Sequence, residues 1–151
     1  MTVLKGNLDN KSPQIQRILP DDIEALQDFW KSVPGVGLGR GDDSESLRLF
    51  INKNPSSCLM IKGNHQIIGT VLGGFDGRRG YIYHLAVHPE RRRRGLGKLL
   101  LEKVGLELKR LGVGKIHLFV LDENANGIEF YEHIGWTRRK DIQVMSYNLN
   151  N

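Results

Sequence analysis

The residues richest in chemistry fall in one stretch, Val87-His-Pro-Glu-Arg-Arg-Arg-Arg-Gly-Leu-Gly-Lys98. Four consecutive arginines, Arg91 to Arg94, precede Gly95 and Gly97, and a helical pattern follows directly. Glycines at the start of a helix let a ligand approach the backbone closely. The first N–H groups of a helix have no partner inside it, and the helix dipole favours an anion there. Arginines add charge and bidentate phosphate contacts. Backbone and side chains together suit a pyrophosphate. The Rossmann fingerprint does not fit, because Gly95-Leu-Gly97 is followed by Lys98-Leu99-Leu100 with no third glycine. A Walker loop is excluded by the missing Lys-Ser/Thr. Taken alone, the arginines read as a solvated face and the glycines as a helix cap. A strand before them and a helix after them favour the ligand.

Other chemically capable residues are more scattered. His84, His88, His117 and His133 have no metal-ligand spacing, and no cysteine pair joins them, so no metal is expected. Cys58 lies in Ser57-Cys-Leu-Met-Ile, a strand pattern, and reads as a small buried hydrophobe rather than a nucleophile. Pro34-Gly-Val-Gly-Leu-Gly-Arg-Gly41 places four glycines in eight residues and reads as a mobile segment near a substrate site. Asp42, Asp43 and Glu45 behind it would attract a cationic acceptor or simply open a solvated helix.

The elements that must carry these residues follow from hydrophobic period. Residues 15–19 read as a strand, and Ile23, Leu26, Phe29 and Trp30 mark an amphipathic helix over 22–32. A second helix is expected over 44–53 with Ser44 as its cap. Strands over 57–62, 66–75 and 81–87 form a meander, turned at Gly63-Asn64 and at Asp76 to Gly80. Leu96, Leu99, Leu100, Val104, Leu108 and Leu111 then define a long helix over 95–111, ended by Gly112. A strand over 115–121, a helix over 124–134 and one or two closing strands within 137–149 complete the pattern. Residues 1–13 read as a loose arm and 14–151 as a single domain of mixed α/β (α+β) class.

Composition sets the outer bounds. The chain has 151 residues, 26% of them charged, and a net charge of +5 that points to an anionic partner. No apolar run approaches the roughly 18 residues a membrane helix needs. No signal-peptide core is visible, and the lone cysteine suits a reducing compartment, so a cytoplasmic location without membrane attachment is expected.

Two spaced motifs carry a resemblance. Val87-His-Pro89 followed by Arg92-Arg-Arg-Gly95-Leu-Gly97 resembles the Gln/Arg-x-x-Gly-x-Gly/Ala signature of the GNAT N-acetyltransferases, set after a strand ending in Val-x-Pro. Asn124-Ala-Asn-Gly127-Ile-Glu-Phe130-Tyr131-Glu-His-Ile-Gly135-Trp136 resembles the family's second element, with Gly127 for the usual alanine and Trp136 for phenylalanine. The glycine should loosen that helix by about 1 kcal/mol. The likeness spans residues 14 to 149, and Val71 to Val87 is similar to a bacterial subgroup of small members.

The resemblance implies a largely antiparallel sheet of six to seven strands flanked by about four helices, with a V-shaped splay between the fourth and fifth strands. It implies acetyl-CoA as acyl donor and transfer to a primary amine by direct attack in a ternary complex. The cofactor would lie against Arg92, Arg93, Arg94, Gly95, Leu96, Gly97 and Lys98, with its pantetheine arm along the backbone of Leu85, Ala86 and Val87, and with Asn124 and Tyr131 contributing. Tyr131 would be the general acid for the leaving thiolate, although its spacing alone suits an amphipathic packing residue. The base stays open among Glu129, Asp122, His84, His117, Asp76 and water, with Asp76 better suited to a turn. The acceptor is a small-molecule amine or a protein N-terminus, and a homodimer is one assembly open to it. Two other functions compete: a CoA-binding sensor without catalysis, and a basic nucleic-acid-binding module built on Arg91 to Arg94.

Overall fold

A computed structural model of the chain describes residues 14 to 150. The arm expected over 1–13 lies outside the described residues. Eleven short elements follow in the order β1 (Ile15–Arg17), a 3-10 turn (Pro20–Asp22), α1 (Ile23–Ser32), α2 (Ser44–Lys53), β2 (Cys58–Gly63), β3 (Gln66–Phe75), β4 (Gly80–Val87), a second 3-10 turn (Pro89–Arg91), α3 (Leu96–Arg110), β5 (Ile116–Leu118) and α4 (Ala125–His133). The chain divides into two compact units, one running to Phe119 and the other starting at Val120.

The first unit is built on one sheet in the order β1-β2-β3-β4-β5. Every pairing is antiparallel except β4 with β5, which is parallel. The β2–β3 hairpin turns on Asn64 and His65, both with positive φ (51° and 64°), one residue later than the Gly63-Asn64 reading. Such a pair matches the twist of the strands it joins.

Both faces of β3 are covered, which explains why it is buried along nearly its whole length. On one face α3 approaches through glycines. A Cβ added at Gly69, Gly73 or Gly80 would lie 3.1 Å from Leu100 Cδ1, 2.5 Å from Val104 Cγ2 and 3.1 Å from Leu108 Cδ1. Leu100, Val104 and Leu108 recur every four residues on α3 and are fully buried, so one helical ridge seats into a strip that lacks side chains. On the other face lie α1 and α2, with Leu26, Trp30, Leu47 and Ile51 packed against Cys58, Met60 and Leu72. Cys58 is buried as expected, and burial pushes its thiol up to about 12.

Three expectations need correction. The cap of α2 is Asp43, whose carboxylate accepts from the Ser46 N–H at 3.1 Å; Ser44 is already inside the helix. A carboxylate in extended conformation satisfies an orphan donor and meets the positive end of the helix. The sheet has five strands among the described residues, not six or seven, because no strand forms within 137–149. Ile142, Val144, Tyr147 and Leu149 do carry a strand-like apolar pattern, but they are more than half exposed. β5 is also shorter than expected, Ile116 to Leu118 instead of the seven residues read from the sequence.

Candidate active site

The fourth and fifth strands part early. Their parallel pairing joins Gly80 to Ile116, Tyr81 to His117 and Ile82 to Leu118, and then β5 ends. β4 continues through Tyr83 to Val87 still paired with β3, with Ala86 opposite Thr70 and Val87 opposite Gly69. The expected V therefore opens beyond Ile82, and it leaves the β5-facing backbone of Leu85, Ala86 and Val87 without a strand partner in the sheet.

A bulge lies at the mouth of this V. His84 and Leu85 together oppose the single residue Val71, between the pairs Thr70–Ala86 and Leu72–Tyr83. His84 takes a left-handed conformation with φ 48°. For an L-residue that conformation costs about 1–2 kcal/mol, and it persists only where the surroundings fix it. Here they do. The Trp30 indole N–H donates to Thr70 Oγ1 at 2.9 Å, and the Thr70 hydroxyl donates to the His84 carbonyl at 2.9 Å. His84 Nε2 lies 2.6 Å from Asp42 Oδ1. The Trp30 and His84 rings are 4.6 Å apart.

Past Val87 the chain turns into the basic loop. The His88 N–H closes on the Ile68 carbonyl at 2.8 Å, and His88 Nδ1 accepts from the Glu90 N–H. Arg93 (φ 63°) and Gly95 (φ 76°) are both left-handed, and Gly95 is the residue at which α3 begins. Alternating handedness of this kind turns successive N–H groups to one side and forms an anion-binding concavity. A Cβ added at Gly95 would meet nothing within 4 Å, so the space over this backbone is open. Arg92, Arg93, Arg94 and Lys98 are exposed around it. Arg92 also donates from Nε to the Val87 carbonyl at 3.3 Å, which ties the loop to the end of β4. Leu96 instead turns its side chain into the core, so only its backbone is available to a ligand. The donor set, an open cradle of N–H groups with arginines and a lysine beside it, fits the pyrophosphate of a CoA ester.

The second unit carries Asn124 and Tyr131. Asn124 caps α4, its Oδ1 accepting from the Gly127 N–H at 3.0 Å. A Cβ at Gly127 would come within 2.6 Å of Asn124 Nδ2, so the capping side chain lies directly over this glycine. The Tyr131 ring meets Phe130 and Trp136 at 5.2 and 5.8 Å, and burial pushes its phenol up to about 12.

Among the proposed bases, Asp76 is committed to its turn. Its Oδ1 accepts from the N–H groups of Arg78 and Arg79 at 2.7 and 2.8 Å, and these bonds hold its carboxyl below the usual range. The His117 ring lies 5.8 Å from that of Tyr81 at a tilt of 40°. Asp122 and Glu129 belong to the second unit, where they line a groove with Ile128, Glu132 and His133. The pairing of His84 with Asp42 was not visible from sequence spacing, since 42 residues separate them. Among the described residues, no group of three His, Cys, Asp or Glu side chains is placed to hold a metal, and no helix is long and apolar enough to cross a membrane.

Two strands that part beyond Ile82 thus lead into a basic, glycine-capped helix start. Comparison with known proteins gives the family. Residues 23–136 match the acetyltransferase (GNAT) family. The chain is 33% identical over 121 residues to an acetyltransferase of Pectobacterium atrosepticum, an alignment that takes in 80% of this chain and 85% of that one. The fold is shared with the PaiA N-acetyltransferase of Thermoplasma acidophilum in complex with coenzyme A (TM-score 0.74, 20% identity, 84% of this chain and 91% of that one). It is also shared with an aminoglycoside acetyltransferase from an uncultured soil metagenomic sample in complex with sisomicin (TM-score 0.68, 18% identity, 91% and 97%). The chain belongs to the GNAT acetyltransferase family. It is an acetyl-CoA-dependent N-acetyltransferase, and acetyl-CoA is its acyl donor.

Proposed function

We propose that this enzyme acetylates a primary amine by direct attack within a ternary complex, without an acyl-enzyme intermediate. The observation that carries the reading is the open V beyond Ile82, which runs straight into the left-handed cradle at Arg93 and Gly95. In this reading the N–H groups from Arg92 to Gly97, with the side chains of Arg92, Arg93, Arg94 and Lys98, hold the pyrophosphate. The unpaired edge of Leu85 to Val87 receives the pantetheine amides as an added strand would. Bound there, acetyl-CoA supplies an activated thioester. A backbone N–H of that edge polarises its carbonyl. Asn124 acts through the cap that orders α4, the helix from which Tyr131 projects.

Tyr131 donates a proton to sulfur as the thiolate leaves. A phenol raised to about 12 stays protonated throughout the physiological range. In this reading the hydroxyl meets the charge developing on sulfur as a hydrogen-bond donor and gives up its proton as the C–S bond breaks.

The acceptor is a small amine or a protein N-terminus. The segment from Gly35 to Asp43 and the flanking ends of α1 and α2 would line its approach. Isothermal calorimetry with CoA tests the cofactor assignment. Release of free CoA across a panel of a polyamine, an aminoglycoside, free amino acids and a peptide with a free N-terminus tests the reaction. Tight CoA binding with no release for any amine would overturn the catalytic reading.

A further inference from the structure

His84 plays no part in holding a phosphate, yet it is the most heavily constrained polar residue of β4. Its backbone is left-handed, its carbonyl is held by the buried Thr70 hydroxyl, and its ring is held by Asp42. A histidine that merely filled the core would need none of these, since an aliphatic side chain on a regular strand packs as well. Bulges commonly re-aim a side chain beside an active site. This one, made by His84 and Leu85, leads directly into the edge from Leu85 to Val87 assigned above to the cofactor arm.

We propose that His84 is the general base of the reaction and that Asp42 is the residue that positions it; the inference rests on the amine-acetylation reading given above. The 2.6 Å contact makes Nε2–H the donor to Asp42 Oδ1, so the lone pair resides on Nδ1. Asp42 is itself fixed. Its Oδ2 accepts from the Gly39 N–H at 2.8 Å, and its carbonyl accepts from Gln27 Nε2 at 3.0 Å. The carboxylate therefore cannot swing away, and it compensates the imidazolium that forms when Nδ1 takes a proton. This is the orienting logic of a carboxylate–imidazole pair, with the roles of the two ring nitrogens exchanged. The groups facing the imidazole are the Trp30 ring from α1 and the Asp42 carboxylate from the loop, while Thr70 from β3 holds the His84 carbonyl. Both are only partly buried, with side-chain exposures of 14% and 18% for His84 and Asp42, so the pair is reachable from solvent.

The proton account closes. The neutral amine forms its bond to the acetyl carbon, and the C–S bond breaks with its electron pair on sulfur. Nitrogen becomes strongly acidic as it bonds and gives one proton to His84 Nδ1. Sulfur receives one proton from Tyr131. The products are an amide and a thiol, and solvent restores both side chains.

The test uses His84→Asn, because asparagine tolerates the left-handed conformation and keeps the bulge. With the best acceptor of the amine panel, the variant should lose about 10²–10⁴-fold in kcat. The acid limb expected of the wild-type rate profile should be absent from the variant's. CoA affinity by calorimetry should stay within about twofold. His84→Gly carries no backbone penalty at this position, and added free imidazole should restore part of its rate. Asp42→Asn should lower kcat by about 10–100-fold, as loss of an orienting partner does elsewhere. An acid limb that survives in His84→Asn, or His84→Gly that imidazole cannot rescue, would overturn the proposal while leaving the acetyltransferase reading intact. Diethyl pyrocarbonate gives an arm that needs no acceptor. It should label His84 in wild type, and resistance of His84 while the exposed His65 and His133 are modified would also overturn the proposal.

Discussion

Gly95→Ala separates what the backbone of the basic loop does for folding from what it does for the cofactor. Gly95 opens α3 at φ 76° and ψ 11°. An alanine there must adopt the left-handed region, at about 1–2 kcal/mol. No steric term adds to this, since the new Cβ would meet nothing within 4 Å. For a chain of this size each kcal/mol moves the midpoint by about 2–4 °C, so the variant should melt roughly 2–8 °C below wild type. CoA affinity should fall further than this strain explains, because the methyl group stands where the pyrophosphate must approach. Loss of one charge-assisted backbone hydrogen bond is about 1.5–3 kcal/mol, or roughly 10- to 160-fold in Kd. Gly112→Ala is the control. Gly112 has φ 104° and equally open surroundings, but it follows the far end of α3. It should reproduce the thermal shift and leave CoA affinity alone. Calorimetry and thermal melts on the three proteins decide the matter. If Gly95→Ala and Gly112→Ala both bind CoA within threefold of wild type, the cradle does not hold the pyrophosphate.

Gly73→Ala should destabilise by about 1–3 kcal/mol or more, since its Cβ would sit 2.5 Å from Val104 Cγ2 and 2.9 Å from the Ser57 carbonyl; a melt within 1 °C of wild type would refute the close seating of α3. Cys58 ties stability to alkaline pH. Its thiol rises from 9.0 to about 12 in the fold, so its contribution is complete below pH 9 and is lost at about 1.4 kcal/mol per unit as pH rises towards 12. Urea unfolding at pH 8 and 10.5 should therefore show a loss about 2 kcal/mol larger in wild type than in Cys58→Ala, and equal losses would exclude the effect. Tyr131→Phe should reduce kcat by about 10²–10⁴-fold with CoA affinity nearly unchanged; a rate within threefold, where chemistry limits, would remove Tyr131 from the mechanism.

What the sequence disclosed depended on how local the cause was. α2 and α3 were legible because one helix face repeats within a few residues, and Asp76 was correctly assigned to its turn because its partners Arg78 and Arg79 are two and three positions away. The place of the basic loop was legible for the same reason, as strand, arginines, glycines and helix follow one another without interruption. The end of α2 was misread by one residue, since Asp43 and Ser44 both can cap and only the extended backbone at Asp43 decides. The missing closing strands reflect a different limit. Apolar spacing over 137–149 records what a strand would bury, and it does not say whether a partner strand is there to pair with it.

The His84–Asp42 pair shows the limit most clearly. In sequence His84 is a polar residue in an apolar strand, and Asp42 is one of three acidic residues behind a glycine-rich loop. Their meeting requires three non-local conditions together. β4 must gain an extra residue opposite Val71, Trp30 must reach Thr70 across 40 positions, and the loop must end in the turn that Gln27 and Gly39 hold. None of these leaves a periodic trace. The bulge also begins two residues after the β4–β5 pairing stops at Ile82. One local distortion of β4 thus accompanies both the exposed edge assigned to the acyl donor and the imidazole assigned to the acceptor's proton. A substitution that regularised the strand should therefore weaken CoA binding and turnover together, whereas His84→Asn, which keeps the bulge, should affect turnover alone.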